Sequence, residues 1–128
     1  MTANEYQENC MKFASKLSRS TNENLLIQGV MGMNGEAGEA IDIVKKIMFH
    51  GHPFDNENKD HLAKELGDVM WYVATSAKAI GYDLSTIMEM NIDKLSKRYP
   101  DGHFDTEKSI HRKRSRSEER RVGKECRS

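Results

Sequence analysis

From Asn4 to about Tyr99 apolar residues return every three or four positions, and no stretch alternates apolar with polar residues or strings β-branched residues together. That period is helical, and it divides into four segments. The first covers about 4–17, with Tyr6, Phe13, Ala14 and Leu17 turned inward. The second covers about 22–50, capped by Thr21 or Asn22 and stopped by Gly51-His52-Pro53, with Gly32 and Gly35 leaving open a break inside it. The third, about 58–80, ends at Gly81, and the fourth, about 85–99, ends at Pro100-Asp101-Gly102. Short connections between such segments predict an all-α fold, an antiparallel four-helix bundle.

On a helical wheel the second segment gathers Met33, Ala37, Ala40, Ile41, Val44, Ile47 and Met48 into one apolar stripe. Glu36 and Glu39 run along its edge, about 60° apart on one face. The third segment gathers Leu62, Leu66, Val69, Met70, Val73, Ala77 and Ile80, with Glu65 and Asp68 on the matching edge. Trp71 falls off that stripe, so it is either exposed or covered by a partner. A single Glu-x-x-Glu is usually a solvated acidic edge. Two acidic pairs in the same phase to two apolar stripes argue for more, because four like charges at one seam cost several kcal/mol unless a cation lies among them. The donors are all oxygen, which suits a hard divalent ion, Mg²⁺ or Mn²⁺.

The fourth segment places Leu84, Met88, Ile92, Leu95 and Tyr99 in its stripe and puts Asn91, Lys94 and Arg98 where the other segments carry carboxylates. Lys46 lies further along the Glu36/Glu39 edge. Metal ions flanked by Lys and Arg match a polyphosphate in charge and geometry. Lys94 and Arg98 read equally as solvated cations near a helix C-terminus, where the dipole favours them. Tyr72, one turn past Asp68, either faces a bound base or packs at the edge of the core. Gln28 reaches the acidic face only if the second helix is unbroken. Gly32, Gly35 and Gly38 each cost a helix about 1 kcal/mol relative to alanine, so either something approaches them closely or the helix breaks there. His50 and His52 sit beside Gly51 and Pro53 and read as turn residues. The methionines at helical spacing read as core filler.

A chain of 128 residues holds one domain. Two cysteines, Cys10 and Cys126, make no disulfide framework, and neither a leader nor an 18-residue apolar run occurs, so a cytoplasmic protein with no membrane partner is expected. The zero net charge conceals an asymmetry: residues 1–111 carry 12 Lys+Arg against 17 Asp+Glu, and residues 112–128 carry 8 against 3. A basic tail suggests a solvated arm or a nucleic-acid patch. Another origin explains it better, because residues 116–128, "RSEERRVGKECRS", read in frame as the translation of a widely used sequencing adaptor. The expectation is a domain over 1–111 and a disordered tail over 112–128 that carries no function, with no nucleic-acid partner.

The joint pattern Glu36, Glu39, Glu65 and Asp68, set in "GEAGE" and "KELGDVMWY", resembles the small MazG-like nucleotide pyrophosphohydrolases of the all-α NTP pyrophosphatase superfamily. The segments "HGHPFD" and "NIDKLSKRYPDG" strengthen the resemblance, which covers about residues 5–104. It implies a Mg²⁺-dependent enzyme, with Mn²⁺ a possible substitute, that cuts a nucleoside triphosphate into its monophosphate and pyrophosphate. It implies that Glu36, Glu39, Glu65 and Asp68 hold the metal and that one glutamate orients or deprotonates water. It further implies that Lys46, Asn91, Lys94, Arg98 and Tyr72 meet the substrate, and that the protein is a homodimer or homotetramer.

A di-iron bundle needs Glu-x-x-His pairs, and Glu39 and Asp68 stand where those histidines would be. A phosphoribosyl-ATP pyrophosphohydrolase shares fold and chemistry. A helical oligomer that binds nucleotides or a protein without catalysis is the reading from another class.

Overall fold

The computed structural model describes residues 1–111; the basic tail over 112–128, with its adaptor-like end, lies outside them. Six helices and no strand occur among the described residues: α1 (Ala3–Lys12), α2 (Lys16–Arg19), α3 (Asn22–Phe49), α4 (Asn56–Ala79), α5 (Leu84–Arg98) and α6 (Thr106–Ile110). The all-α class holds. Residues Met1–Met88 form one compact unit, and the described residues from Glu89 on belong to a second.

Polar caps and glycines set the ends as the sequence suggests. Thr21 Oγ1 accepts from Asn24 N at 3.0 Å and starts α3. The helix then runs unbroken through all its glycines and stops where Gly51 takes φ +71°, which lets His52 N donate back to Lys46 O at 3.2 Å. Asp55 caps α4 by accepting from Asn58 N at 2.9 Å, and Gly81 at φ +82° ends the turn that follows it.

The first expected helix is two. Ser15 Oγ accepts from Ser18 N at 3.1 Å and nucleates α2, so the chain bends at Phe13. Phe13 and Leu17, expected inward, are 80% and 75% exposed, while Ala14 is buried. Near the chain's end α6, capped by Asp105, extends beyond the fourth expected helix.

In the first unit α3 and α4 form an antiparallel pair joined by a short loop. Opposed positions descend along α4 as they rise along α3: Leu25 shares a core cluster with Ala79, Gly29 lies on Ser76, and Gly32 lies on Tyr72. α1 packs on α4, where Cys10, Ala74 and Leu84 form one small core, and Ala14, Leu25 and Ala79 form another. Trp71 is half-buried and packs against both clusters, so it is not left exposed within the chain. Gln7 ties α1 down: its buried amide donates to Ala74 O at 3.1 Å and Tyr82 O at 3.0 Å, and accepts from Leu84 N at 3.0 Å. Asn4 Oδ1 accepts from Ser85 N at 3.1 Å, so side chains of α1 satisfy the first amides of α5.

The apolar stripes face differently from expectation. The buried line of α3 is Leu25, Gly29 and Ile43, and Glu36 falls within it rather than at its margin. Ile41, Val44 and Met48 on α3, Leu66 and Met70 on α4, and Ile80 just past its end, are exposed. Met31, Met88 and Met90 are exposed too, so most of the methionines are surface residues here rather than core filler.

Candidate active site

Where α3 and α4 run past Gly32, carboxylates replace apolar contacts. One carboxylate oxygen each from Glu36, Glu65 and Asp68 lies within 4.8 Å of the others. Glu36 comes from α3 and the other two from successive turns of α4, so the cluster bridges the seam. Glu36 and Glu65 are half-buried and Asp68 is exposed; the Glu65 side chain is 15% exposed, and its Oε2 is buried without a hydrogen-bond partner. Its Oε1 stands 3.5 Å from His61 Nε2.

Proximity of like charges has an electrostatic consequence. The carboxyl of Glu36 is pushed above its ordinary value, chiefly by the Glu65 carboxyl beside it, which can hydrogen-bond only when one of the two carries a proton; burial and the charges of Asp68, Glu65 and Glu39 add to this. The Tyr6 phenol of α1 is pushed up to about 12 by burial, by Cys10 and, last, by Asp68. All three donors are oxygen, and an enclosed carboxylate oxygen lacking any donor is what a hard divalent cation satisfies. The residues present therefore fit such an ion.

Glu39, the fourth predicted carboxylate, is exposed and outside this group of three, one turn further along α3. Lys46 is engaged along its own helix: Nζ lies 2.8 Å from Asp42 Oδ2, and the pairing pulls Asp42 down and pushes Lys46 up. Tyr72 sits one turn past Asp68, its ring across Gly32 and edge-on to Trp71 at 5.0 Å. Asn91, Lys94 and Arg98 belong to the second unit; Asn91 and Lys94 are exposed, and Arg98 lies 5.9 Å over the Tyr99 ring.

The condition the sequence set for Gln28, an unbroken α3, is met, and its Oε1 is buried and unpaired, as is Ser76 Oγ beside Gly29. Sequence reasoning passed over Tyr6, taken for core, and His61. The available signal for His61 was its i, i+4 spacing to Glu65 on the acidic edge of α4.

An all-α chain with a carboxylate cluster across an antiparallel helix pair is the class defined so far. The chain belongs to the MazG nucleotide pyrophosphohydrolase domain family, which matches residues 26–103, more than half of it. Among curated proteins, the "Gene 37 protein" of Mycobacterium phage L5 is 48% identical over 69 residues, 53% of this chain and 60% of that protein. The chain thus spans less than two thirds of that relative's length. No solved structure matches the chain. No helix among the described residues is long and apolar enough to cross a membrane.

Proposed function

We propose that residues 1–111 form an enzyme that hydrolyses a nucleoside triphosphate, deoxy or ribo, between its α and β phosphates, releasing the monophosphate and pyrophosphate. The observation that carries this reading is the meeting of Glu36, Glu65 and Asp68 within 4.8 Å, with Glu65 Oε2 enclosed and unpaired. Those three, with Glu39 closing the set from the exposed side, are the proposed holders of Mg²⁺, for which Mn²⁺ can substitute. When bound, the ion supplies charge neutralisation to the phosphate oxygens and acidity to the attacking water.

The chain's own residues do the rest. One glutamate of the cluster takes a proton from water as the water oxygen bonds to phosphorus, and the bridging oxygen leaves with the pyrophosphate. Lys46 would exchange Asp42 for a phosphate oxygen, and Asn91, Lys94 and Arg98 are the proposed further phosphate contacts. Tyr72, fixed against Gly32, offers its ring to the base or sugar. The cytoplasm, which holds both the nucleotide and Mg²⁺, is the proposed location. A homodimer or homotetramer is the proposed assembly, on the strength of the exposed apolar residues of α3 and α4.

The test is release of pyrophosphate, scored separately from orthophosphate, from dNTPs, NTPs and phosphoribosyl-ATP with and without Mg²⁺. Metal-dependent pyrophosphate release, lost in folded Glu65→Ala and Asp68→Ala variants, is the expected result. A folded, metal-supplied protein that releases none from the whole panel, yet binds nucleotide without regard to Mg²⁺, would replace this reading with a non-catalytic binding module.

A further inference from the structure

Glu65 must meet two conditions to serve as a ligand in the seam. It has to stay ionised among like charges, and its three side-chain torsions have to keep an oxygen turned inward. Repulsion from Glu36 and Asp68 works against both, since a carboxylate on a long side chain can relieve it by swinging towards solvent. Something must hold it in place.

His61 stands one turn before Glu65 on α4, at the solvent side of the seam. Its Nε2 lies 3.5 Å from Glu65 Oε1. The pair differs from its neighbour on the same helix, Lys64 with Asp60, in which both side chains are well exposed. In His61–Glu65 an exposed imidazole meets a largely enclosed carboxylate whose second oxygen is buried without a partner. His61 itself is not part of the three-carboxylate group, so it is placed to act through Glu65. Carboxylates that ligate metals are commonly held by an outer partner, and loss of that partner lowers metal affinity or activity about 10–100-fold.

We propose that His61 is a positioning residue: it engages Glu65 Oε1 at the solvent side of the seam and so keeps Oε2 inside it, ready to ligate a divalent cation. The role rests on the metal-holding reading of Glu36, Glu65 and Asp68 given above. It requires only that Nε2 present a hydrogen, which the neutral ring with Nδ1 free can supply as well as the charged ring.

The experiment uses the full chain and Mn²⁺ alone as probe, with binding followed by loss of the free-ion electron paramagnetic resonance signal. Wild type, His61→Ala, His61→Gln and Glu65→Ala are compared after circular dichroism shows equal helix content. The glutamine variant restores an N–H donor near the place of Nε2. The expected result is binding by wild type, weaker by roughly tenfold in His61→Ala, largely recovered in His61→Gln, and absent or weaker still in Glu65→Ala. In turnover assays the His61→Ala defect should be overcome by added Mg²⁺, with kcat at saturating metal close to wild type. Equal Mn²⁺ affinity in wild type and His61→Ala, alongside a loss in Glu65→Ala, overturns the role of His61 and leaves the metal reading standing. Failure of wild type to bind Mn²⁺ overturns both. Weakening in His61→Ala with no recovery in His61→Gln also counts against positioning by a hydrogen-bond donor.

Discussion

The ring of Tyr72 lies against Gly32, in the space a Cβ on that residue would fill. Gly32 therefore sets how near α4 comes to α3 beside the carboxylate cluster, as Gly29 does against Ser76. Gly32→Ala would gain about 1 kcal/mol of helix propensity and lose about 1–3 kcal/mol through overpacking. The expected outcome is a less stable protein whose kcat/KM for nucleotide falls roughly 10–100-fold because Tyr72 and its neighbours shift. Thermal unfolding and turnover of the variant check this. In a Tyr72→Leu background the same substitution should cost much less, and equal effects in both backgrounds would refute the contact.

Gly35 and Gly38 make the opposite case. A Cβ on either meets nothing within 4 Å, so neither glycine is required by the packing of this chain. Gly35→Ala and Gly38→Ala should each stabilise the isolated chain by about 0.5–1 kcal/mol. A variant that gains stability and loses pyrophosphate release would show that its glycine leaves room for the substrate. One that loses stability would show that another copy of the chain packs there.

These glycines also show what the sequence could and could not convey. The long helices and their ends were legible because periodicity, capping by Thr21 and the stops at Gly51 and Gly81 are local properties. The break at Phe13 was not, since it depends on Ser15 winning Ser18 N away from a continuous helix. The facing of α3 misled for a different reason. Its apolar arc is broad, and hydrophobicity alone favours Ile41, Val44 and Met48 over Gly29 and Gly32, whereas close packing favours the small residues. The carboxylate pairing was legible because Glu36, Glu65 and Asp68 share a phase with those arcs. Gln7 acts through long-range polar contacts whose partners no periodicity reveals, whereas His61 differs from an ordinary surface i, i+4 pair only in the enclosure of Glu65, which the sequence does not show.

Glu36 gives the site a pH signature. A carboxyl whose value in the folded chain lies above its unfolded value destabilises the fold once pH exceeds the unfolded value, and the penalty is complete above the folded one. For Glu36 the direction is upward, so the penalty is present at neutral pH and vanishes as pH falls below the ordinary 4.5. Metal-free Glu36→Gln should accordingly be more stable than wild type at neutral pH, with the difference closing in acid. Mg²⁺ should favour wild type and shrink or reverse the order, because it binds the folded cluster and the variant has lost a ligand. Unfolding curves at the two pH values, each with chelator and with Mg²⁺, test all of this. A Glu36→Gln variant less stable than wild type at neutral pH without metal would contradict it.

Gln7 carries the attachment of α1. Its removal leaves Ala74 O, Tyr82 O and Leu84 N without their partner at a buried junction. Gln7→Ala should cost about 2–4 kcal/mol. Gln7→Glu should fare no better, because two of the three partners are carbonyls that need a donor. Asn9→Ala, at an exposed site on the same helix, should stay within about 0.5 kcal/mol of wild type. Chemical denaturation of the three variants decides the matter, and a mild Gln7→Ala would mean that α1 is held by its apolar contacts alone.

The exposed side of the α3–α4 pair leads to the last expectation. In an antiparallel pair, residues displaced in the same rotational sense from the seam emerge on one common side. Ile41, Val44 and Met48 on α3 and Leu66 and Met70 on α4 are displaced in that way, and all five are exposed, Ile41 by 68% and Met70 by 54%. A contiguous apolar surface of this kind rarely stays in water. The opposite flank carries Glu39 and Asp68, so two copies could join through the apolar side with each carboxylate cluster left open to substrate. Light scattering at micromolar concentration should give a dimer or larger species. Met70→Glu and Ile41→Glu should each shift it towards monomer while circular dichroism keeps its helical form, because each places a charge where a partner's side chains would close over it. A monomeric wild type at that concentration would count against the assembly, and a dimer unmoved by either substitution would place its interface elsewhere on the chain.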